Sequence, residues 1–247
     1  MNILIKTYCL TTNASKGIIL NKRLITAPEV YKRIPGLILI TGIVDVTKPN
    51  KEAIQHYLHQ SWNTLRAQAL EKGYRTHPLI AQWRAALTQA GIHVKHYAPS
   101  IEAIAKRATN MPEPFSINPK VDAYNALSMN LILPLGAYDV DQLSGNLQLR
   151  TAQEGEHFTA LGGSSNEPTI ASEIIYADDS DVLTRQFLWR QSEKAKITDN
   201  TKQLLFVCEL LESMGSEVQA HAEKIITTQF KEFFNTEVQN FTIDKEV

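Results

Sequence analysis

The chain has 247 residues, 43% of them apolar, which supplies a sizeable core for one large domain or two small ones and argues against disorder. No uninterrupted apolar run approaches the ~20 residues of a membrane span, and MNILIKTYCL turns polar too soon for a secretory leader, so no membrane partner and a cytoplasmic location are expected. The formal net charge of −1 conceals a division, because residues 1–120 carry 16 Lys and Arg against 6 Asp and Glu, and residues 121–247 carry 9 against 20. Such asymmetry points to nucleic-acid contact by the basic part, or to two halves that neutralise each other across an internal interface.

Leu37–Val46 (LILITGIVDV) reads as a buried strand between Pro35-Gly36 and the turn cluster Thr47–Asn50. From Lys51 the apolar period becomes helical, with Ile54, Leu58, Trp62, Leu65 and Ala69 together and Gly73 ending the run. A second helix is expected over about His77–Gln89, with Pro78 in its first turn. A third starts at Pro99-Ser100, with Ser100 as its cap, and ends before Asn110 and the rigid Met111–Pro114 linker.

Beyond the linker, short strands divided by turns are expected. Asp122, Asn125 and Ser128 recur at spacing three, so they share one helix face. Pro134–Asp139 reads as a small-residue turn around Gly136, and Leu143–Ala152 alternates as a half-buried strand. Gly162-Gly163 mark a loop, Glu173–Tyr176 a strand, and Asp178–Asp181 an acidic turn. Leu204–Leu211 fits a buried strand, Ser216–Phe234 an amphipathic helix, and the last dozen residues look loosely held. This order argues for an α+β fold.

Searches for chemistry exclude more than they find. Phosphate loops, dinucleotide fingerprints, HExxH and GxSxG are missing, and Cys9 and Cys208 lie too far apart for a zinc pattern, so no metal and no cofactor are expected. Both cysteines read as buried free thiols, and the paired His56/His59 and His93/His96 as surface. His157 follows the turn Glu154-Gly155-Glu156 and reads as exposed. The strip Asp122/Asn125/Ser128 either bonds neighbouring backbone or lines a polar pocket. In Arg185–Ser192, Trp189, Arg190 and Gln191 suit an anionic or planar ligand. Equally, Arg185 and Arg190 pair with acids such as Glu173, Asp178 or Asp181.

Taken together, VDAYN (121–125), PLGAYD (134–139), Leu149-Arg150, Gly155-Glu156, LGG (161–163), SEI (172–174) and WRQS (189–192) resemble the B3/B4 domain. That domain is the editing domain of the phenylalanyl-tRNA synthetase beta subunit and also occurs as free-standing proteins. The resemblance is strongest over roughly Pro99–Leu211, and no aminoacylation motif accompanies it. It implies a β-sandwich of unusual topology flanked by helices. It further implies one domain over 1–247, basic and helical to about residue 110 and acidic and strand-rich over about 111–235.

By resemblance, Asn125 is the pocket asparagine, Gly162 and Gly163 line the pocket, and Glu173 recognises the amino acid. Tyr124 stands where the synthetases carry threonine and Gly136 where they carry histidine. Asn125 and Glu173 are therefore the candidate catalytic pair. Asp122, Tyr124, Ser128, Gly136, Gly162, Gly163, Arg190 and Gln191 are candidate substrate contacts, and Arg66, Arg75 and Arg84 candidate RNA contacts. Two functions follow: a trans-editing hydrolase cleaving the ester of mischarged aminoacyl-tRNA, or a non-catalytic module binding tRNA or an amino-acid-like ligand.

Overall fold

A computed structural model describes residues 22–246; the MNILIKTYCL segment, with Cys9, lies outside them. Strand β1 (Leu24–Thr26) and the short helix α1 (Pro28–Arg33) precede β2 (Leu37–Asp45). Helices α2 (Lys51–Lys72), α3 (Pro78–Gln89), α4 (Ser100–Asn110) and α5 (Pro119–Leu131) follow. Then come β3 (Leu135–Asp139), β4 (Leu147–Thr151), β5 (Ile174–Ala177), β6 (Val182–Arg185), β7 (Arg190–Gln191) and β8 (Gln203–Leu211). Helix α6 (Ser216–Phe234) and β9 (Gln239–Lys245) complete an α+β fold.

Two sheets form, in the orders β1-β4-β5-β6-β7 and β3-β8-β2-β9. Among the described residues only β1 and β4 pair in parallel. Strand β2 lies inside the second sheet, between β8 and β9, and with the first sheet on one face and α6 on the other all but its last residue is buried, which explains its unbroken apolar run. Register sorts the faces: Glu209 pairs with Leu39, Val207 with Gly136 and Thr41, and Leu205 with Tyr138, so these side chains share the face toward the first sheet. Across that interface the Tyr176 hydroxyl donates to Glu209 Oε1 at 2.8 Å, and the Tyr138 and Thr184 hydroxyls lie 2.8 Å apart. The sheets therefore stack as a sandwich. Helix α6 covers the opposite face, where Phe206 meets Phe230 with ring centroids 5.0 Å apart.

Helices α2 to α5 enclose a second apolar cluster built on Leu58, Trp62, Leu65, Ile80, Ile101 and Met129. Asn50 caps α2 by accepting from Ala53 N, Gly73 ends that helix at φ 77°, and Asn118 caps α5.

Four local expectations are corrected. Leu135–Asp139 is strand β3, not a turn, because Gly136 takes an ordinary extended backbone and the segment pairs with β8 along its length. The chain end is not loose: β9 pairs with β2 as a polar edge strand, a composition that hides the strand period. Ser100 does not cap α4; Pro99 is the N-cap residue and no side chain bonds there. The Leu143–Ala152 strand begins only at Leu147, after a turn through Gly145 at φ 81°. Cys208 is a buried free thiol, raised well above its ordinary pKa by burial.

Candidate functional site

The two sheets bring edge strands β3 and β7 together on one side of the sandwich. Gln191 Nε2 donates to Ala137 O at 3.0 Å and pins the edges to each other. Gly136 sits in this seam on the inward face, and a Cβ there would meet nothing within 4 Å. A side chain at position 136 would thus enter open space. Helix α5 packs on β3 and carries Tyr124 and Asn125. Burial raises the pKa of the Tyr124 hydroxyl, with Asp122 adding to it, so the phenol stays neutral. Asn125 is half-buried, and its side chain has no hydrogen-bond partner among the described residues.

The rest of the polar strip is occupied. Asp122 accepts from Gln55 Nε2 at 3.0 Å, Ser116 Oγ at 2.5 Å and Ile117 N at 2.9 Å, tying α5 to α2 and to the preceding loop. Ser128 donates to Leu133 O at 2.6 Å and closes the helix end. Of the three residues, Asn125 alone keeps free donors and acceptors.

Glu173 meets Arg185 where the resemblance places an amino-acid ammonium. Arg185 Nε lies 3.0 Å from Oε1, Gln186 Nε2 donates to Oε2 at 2.6 Å, and Ile170 N reaches Oε1 at 3.1 Å. The carboxylate is 2% exposed and its guanidinium partner 10%, so this is a closed internal pair. The surrounding backbone is strained, with left-handed φ at Ser172 (71°), Gln186 (50°) and Phe187 (64°). The glycine-loop amides are engaged as well. Gly162 N donates to Glu193 Oε2 at 2.8 Å and Gly163 N to Ala160 O at 2.7 Å. Arg190 pairs with Glu167 at 3.0 Å and lies over the Trp189 ring.

The basic candidates divide. Arg84 donates twice to the buried Glu102, at 2.8 and 2.6 Å, and Arg75 reaches the same carboxylate at 3.2 Å. Arg66 is partly buried on α2, and its Nε has no partner among the described residues. Every ion pair between described residues stays within one half of the chain. Among the described residues the halves therefore do not neutralise each other by direct pairing.

A trough beside the glycine loop was not anticipated from the sequence. Its first part, about 230 Å³, is lined by His157, Thr159, Asp181, Ser192, Glu193 and Lys194. Glu193 and Lys194 also line its continuation, about 290 Å³, with Asp139, Asp141 and Asn200. The available signal was the acidic run Asp178–Asp181 with a lone histidine upstream, but they meet only because Val182 N, at the start of β6, donates to His157 O at 3.0 Å. Among the described residues no group of three or more His, Cys, Asp or Glu is placed to hold a metal ion. No helix among them is long and apolar enough to cross a membrane.

Known proteins match parts of this chain. The phenylalanine–tRNA ligase beta subunit of Pectobacterium atrosepticum is 33% identical over 94 residues, 38% of this chain and 11% of that protein. That of Shewanella oneidensis is 29% identical over 134 residues, 53% of this chain and 16% of that protein. Aligned stretches thus span a small share of these relatives' length. A solved N-terminal fragment of the phenylalanyl-tRNA synthetase beta-subunit from Pyrococcus horikoshii aligns over 90% of this chain and 50% of that one, at 8% identity and TM-score 0.44. The B3/4 domain family matches residues 82–242, from α3 through the sandwich into β9, and the chain belongs to that family.

Proposed function

We propose that this chain is a single-domain, cytoplasmic tRNA-binding protein that hydrolyses the ester of mischarged aminoacyl-tRNA in trans. The observation that supports it most is the seam between β3 and β7. There, an open space at Gly136 adjoins a pinned sheet edge, within the residues that match the B3/4 domain family. An aminoacyl ester is already activated, so holding it against an oriented water supplies much of the acceleration without a protein nucleophile. In this reading Asn125 orients the carbonyl or the water, Tyr124 shapes the pocket wall, and Gly136 leaves room for the aminoacyl side chain. Glu173 contributes by holding the wall through Arg185, and Gln191 by fixing the seam.

RNA contact falls to helices α2 and α4, which run antiparallel. His59 of α2 meets Glu113 just beyond the end of α4, and Arg75 beyond the end of α2 meets Glu102 at the start of α4. Arg66, Lys72, Arg75, Lys106 and Arg107 are distributed along this pair. Arg107 also lies 4.4 Å from the Phe115 ring centroid, which places an aromatic among the cations.

A second reading, a non-catalytic module for tRNA or an amino-acid-like ligand, is favoured by one observation: Glu173 and both glycine amides are already engaged. A deacylation screen over a panel of charged tRNAs separates the two. Loss of charge with the wild type, and at least tenfold slower loss with Asn125→Ala, is the expected result. Binding without any deacylation would establish the second reading.

A further inference from the structure

We propose that His157, oriented by Asp181, is the general base of the trough, acting on the water that attacks an aminoacyl ester. This inference rests on the hydrolase reading above but seats the reacting ester in the trough, which neither Asn125 nor Gly136 lines, instead of at the seam. His157 Nδ1 lies 2.7 Å from Asp181 Oδ1, and the imidazole, 54% exposed, lines the open trough. A carboxylate at Nδ1 fixes the tautomer with the proton there and leaves Nε2 as the acceptor. The carboxylate is itself clamped. Lys194 Nζ reaches Asp181 Oδ2 at 2.6 Å and Ser180 Oγ donates to the same atom at 2.7 Å. Lys194 is anchored in turn on Asp178, 3.0 Å away and fully buried. Burial alone would raise the pKa of Asp181, but the bonds from Lys194, Ser180 and His157 outweigh it and hold the group below the usual carboxylate range. The orienting group is therefore an anion at neutral pH.

Three further features distinguish this arrangement from a surface hydrogen bond. The histidine lines an open hollow of the surface. That hollow is bounded by Glu193, whose Oε2 accepts the Gly162 amide, so it lies against the glycine loop. Four carboxylates (Asp139, Asp141, Asp181 and Glu193) and two lysines (Lys194 and Lys196) line the whole trough. The excess of negative charge favours an α-ammonium, the role that Glu173, closed on Arg185, leaves open.

The step is balanced. Nε2 of His157 takes a proton from water as the water oxygen bonds to the ester carbonyl carbon. Collapse breaks the bond from that carbon to the ribose oxygen. The imidazolium returns its proton to that oxygen, releasing a free amino acid and a ribose hydroxyl.

The test compares wild type, His157→Gln and Asp181→Asn on charged tRNAs and, separately, on a panel of amino-acid methyl esters. For His157→Gln the account expects kcat about a hundredfold lower, with KM and melting temperature near wild type. For Asp181→Asn, a positioning change, it expects lower kcat together with altered imidazole ¹⁵N shifts that report loss of the Nδ1–H tautomer. Charged tRNA hydrolysed at an unchanged rate by His157→Gln would overturn this inference and leave the proposed function standing. Hydrolysis of methyl esters that depends on His157, with every charged tRNA untouched, would support the trough and remove the tRNA reading. Failure of the wild type on both substrates would overturn the inference.

Discussion

Glu173 and Glu209 are both buried, and their surroundings treat them in opposite ways. Glu173 has a guanidinium and an amide on its oxygens. Removing it strands Arg185, and breaking a buried pair costs about 3–5 kcal/mol. Glu173→Ala should lower the urea midpoint accordingly, so lost activity in that variant says nothing about substrate contact unless the protein is shown to be folded. Glu209 has only the Tyr176 hydroxyl on one oxygen, while the other has no partner, and burial pushes its carboxyl up from 4.5 to about 8. The folded state therefore holds a proton that the unfolded state releases between those two values. The stability from this group is complete below about 4.5, declines as pH rises and is lost above about 8. Melting temperature should fall over that window, and Glu209→Gln should flatten the fall. An equal slope in the variant would contradict the assignment. Asp178, Asp181, Glu156 and Glu193 are shifted down instead and contribute a separate loss in acid.

Two glycines show how an element can tolerate or forbid a side chain. A Cβ at Gly42 would collide with Val238 and come within 2.9 Å of Phe206 Cε1, whereas one at Gly136 meets nothing within 4 Å. Gly42→Ala should destabilise by about 1–3 kcal/mol, and Gly136→Ala should stay within about 0.5 kcal/mol, both measurable by denaturant unfolding. Equal costs would remove the open seam from the account. The helices were legible because period and caps coincide, as at Asn50, Gly73 and Asn118. Strands β2 and β8 were legible as apolar runs, but β3 was hidden by one glycine and β9 by its polarity. Pairings such as Leu24 with Leu147 leave no local trace in sequence. The same holds for the site: Asn125 and Gln191 are visible as residues, yet the sequence leaves ligand contact and acid pairing open for the Arg185–Ser192 cluster, and the closure of Glu173 on Arg185 depends on the β6–β7 turn.

At the scale of the molecule, the charge division of the sequence persists as a property of the fold. The basic part pairs internally only through Glu102 and Glu113, and its remaining cations stay free of direct acid partners among the described residues. Arg84 is a poor probe of RNA contact, because reversing it would set a second carboxylate beside the buried Glu102. Lys72, Lys106 and Arg107 are exposed and take part in no ion pair among the described residues, so they are the proper probes. The most direct test titrates a fluorescently labelled tRNA with the protein by anisotropy across a range of salt concentrations. The account predicts that affinity falls steeply with salt. It also predicts that reversing Lys72, Lys106 and Arg107 together flattens the log–log slope by about 2–3, at roughly 0.7–0.9 per lost phosphate contact. Affinity independent of salt, or a slope untouched by the triple reversal, would contradict the claim that this protein docks tRNA on its α2–α4 face.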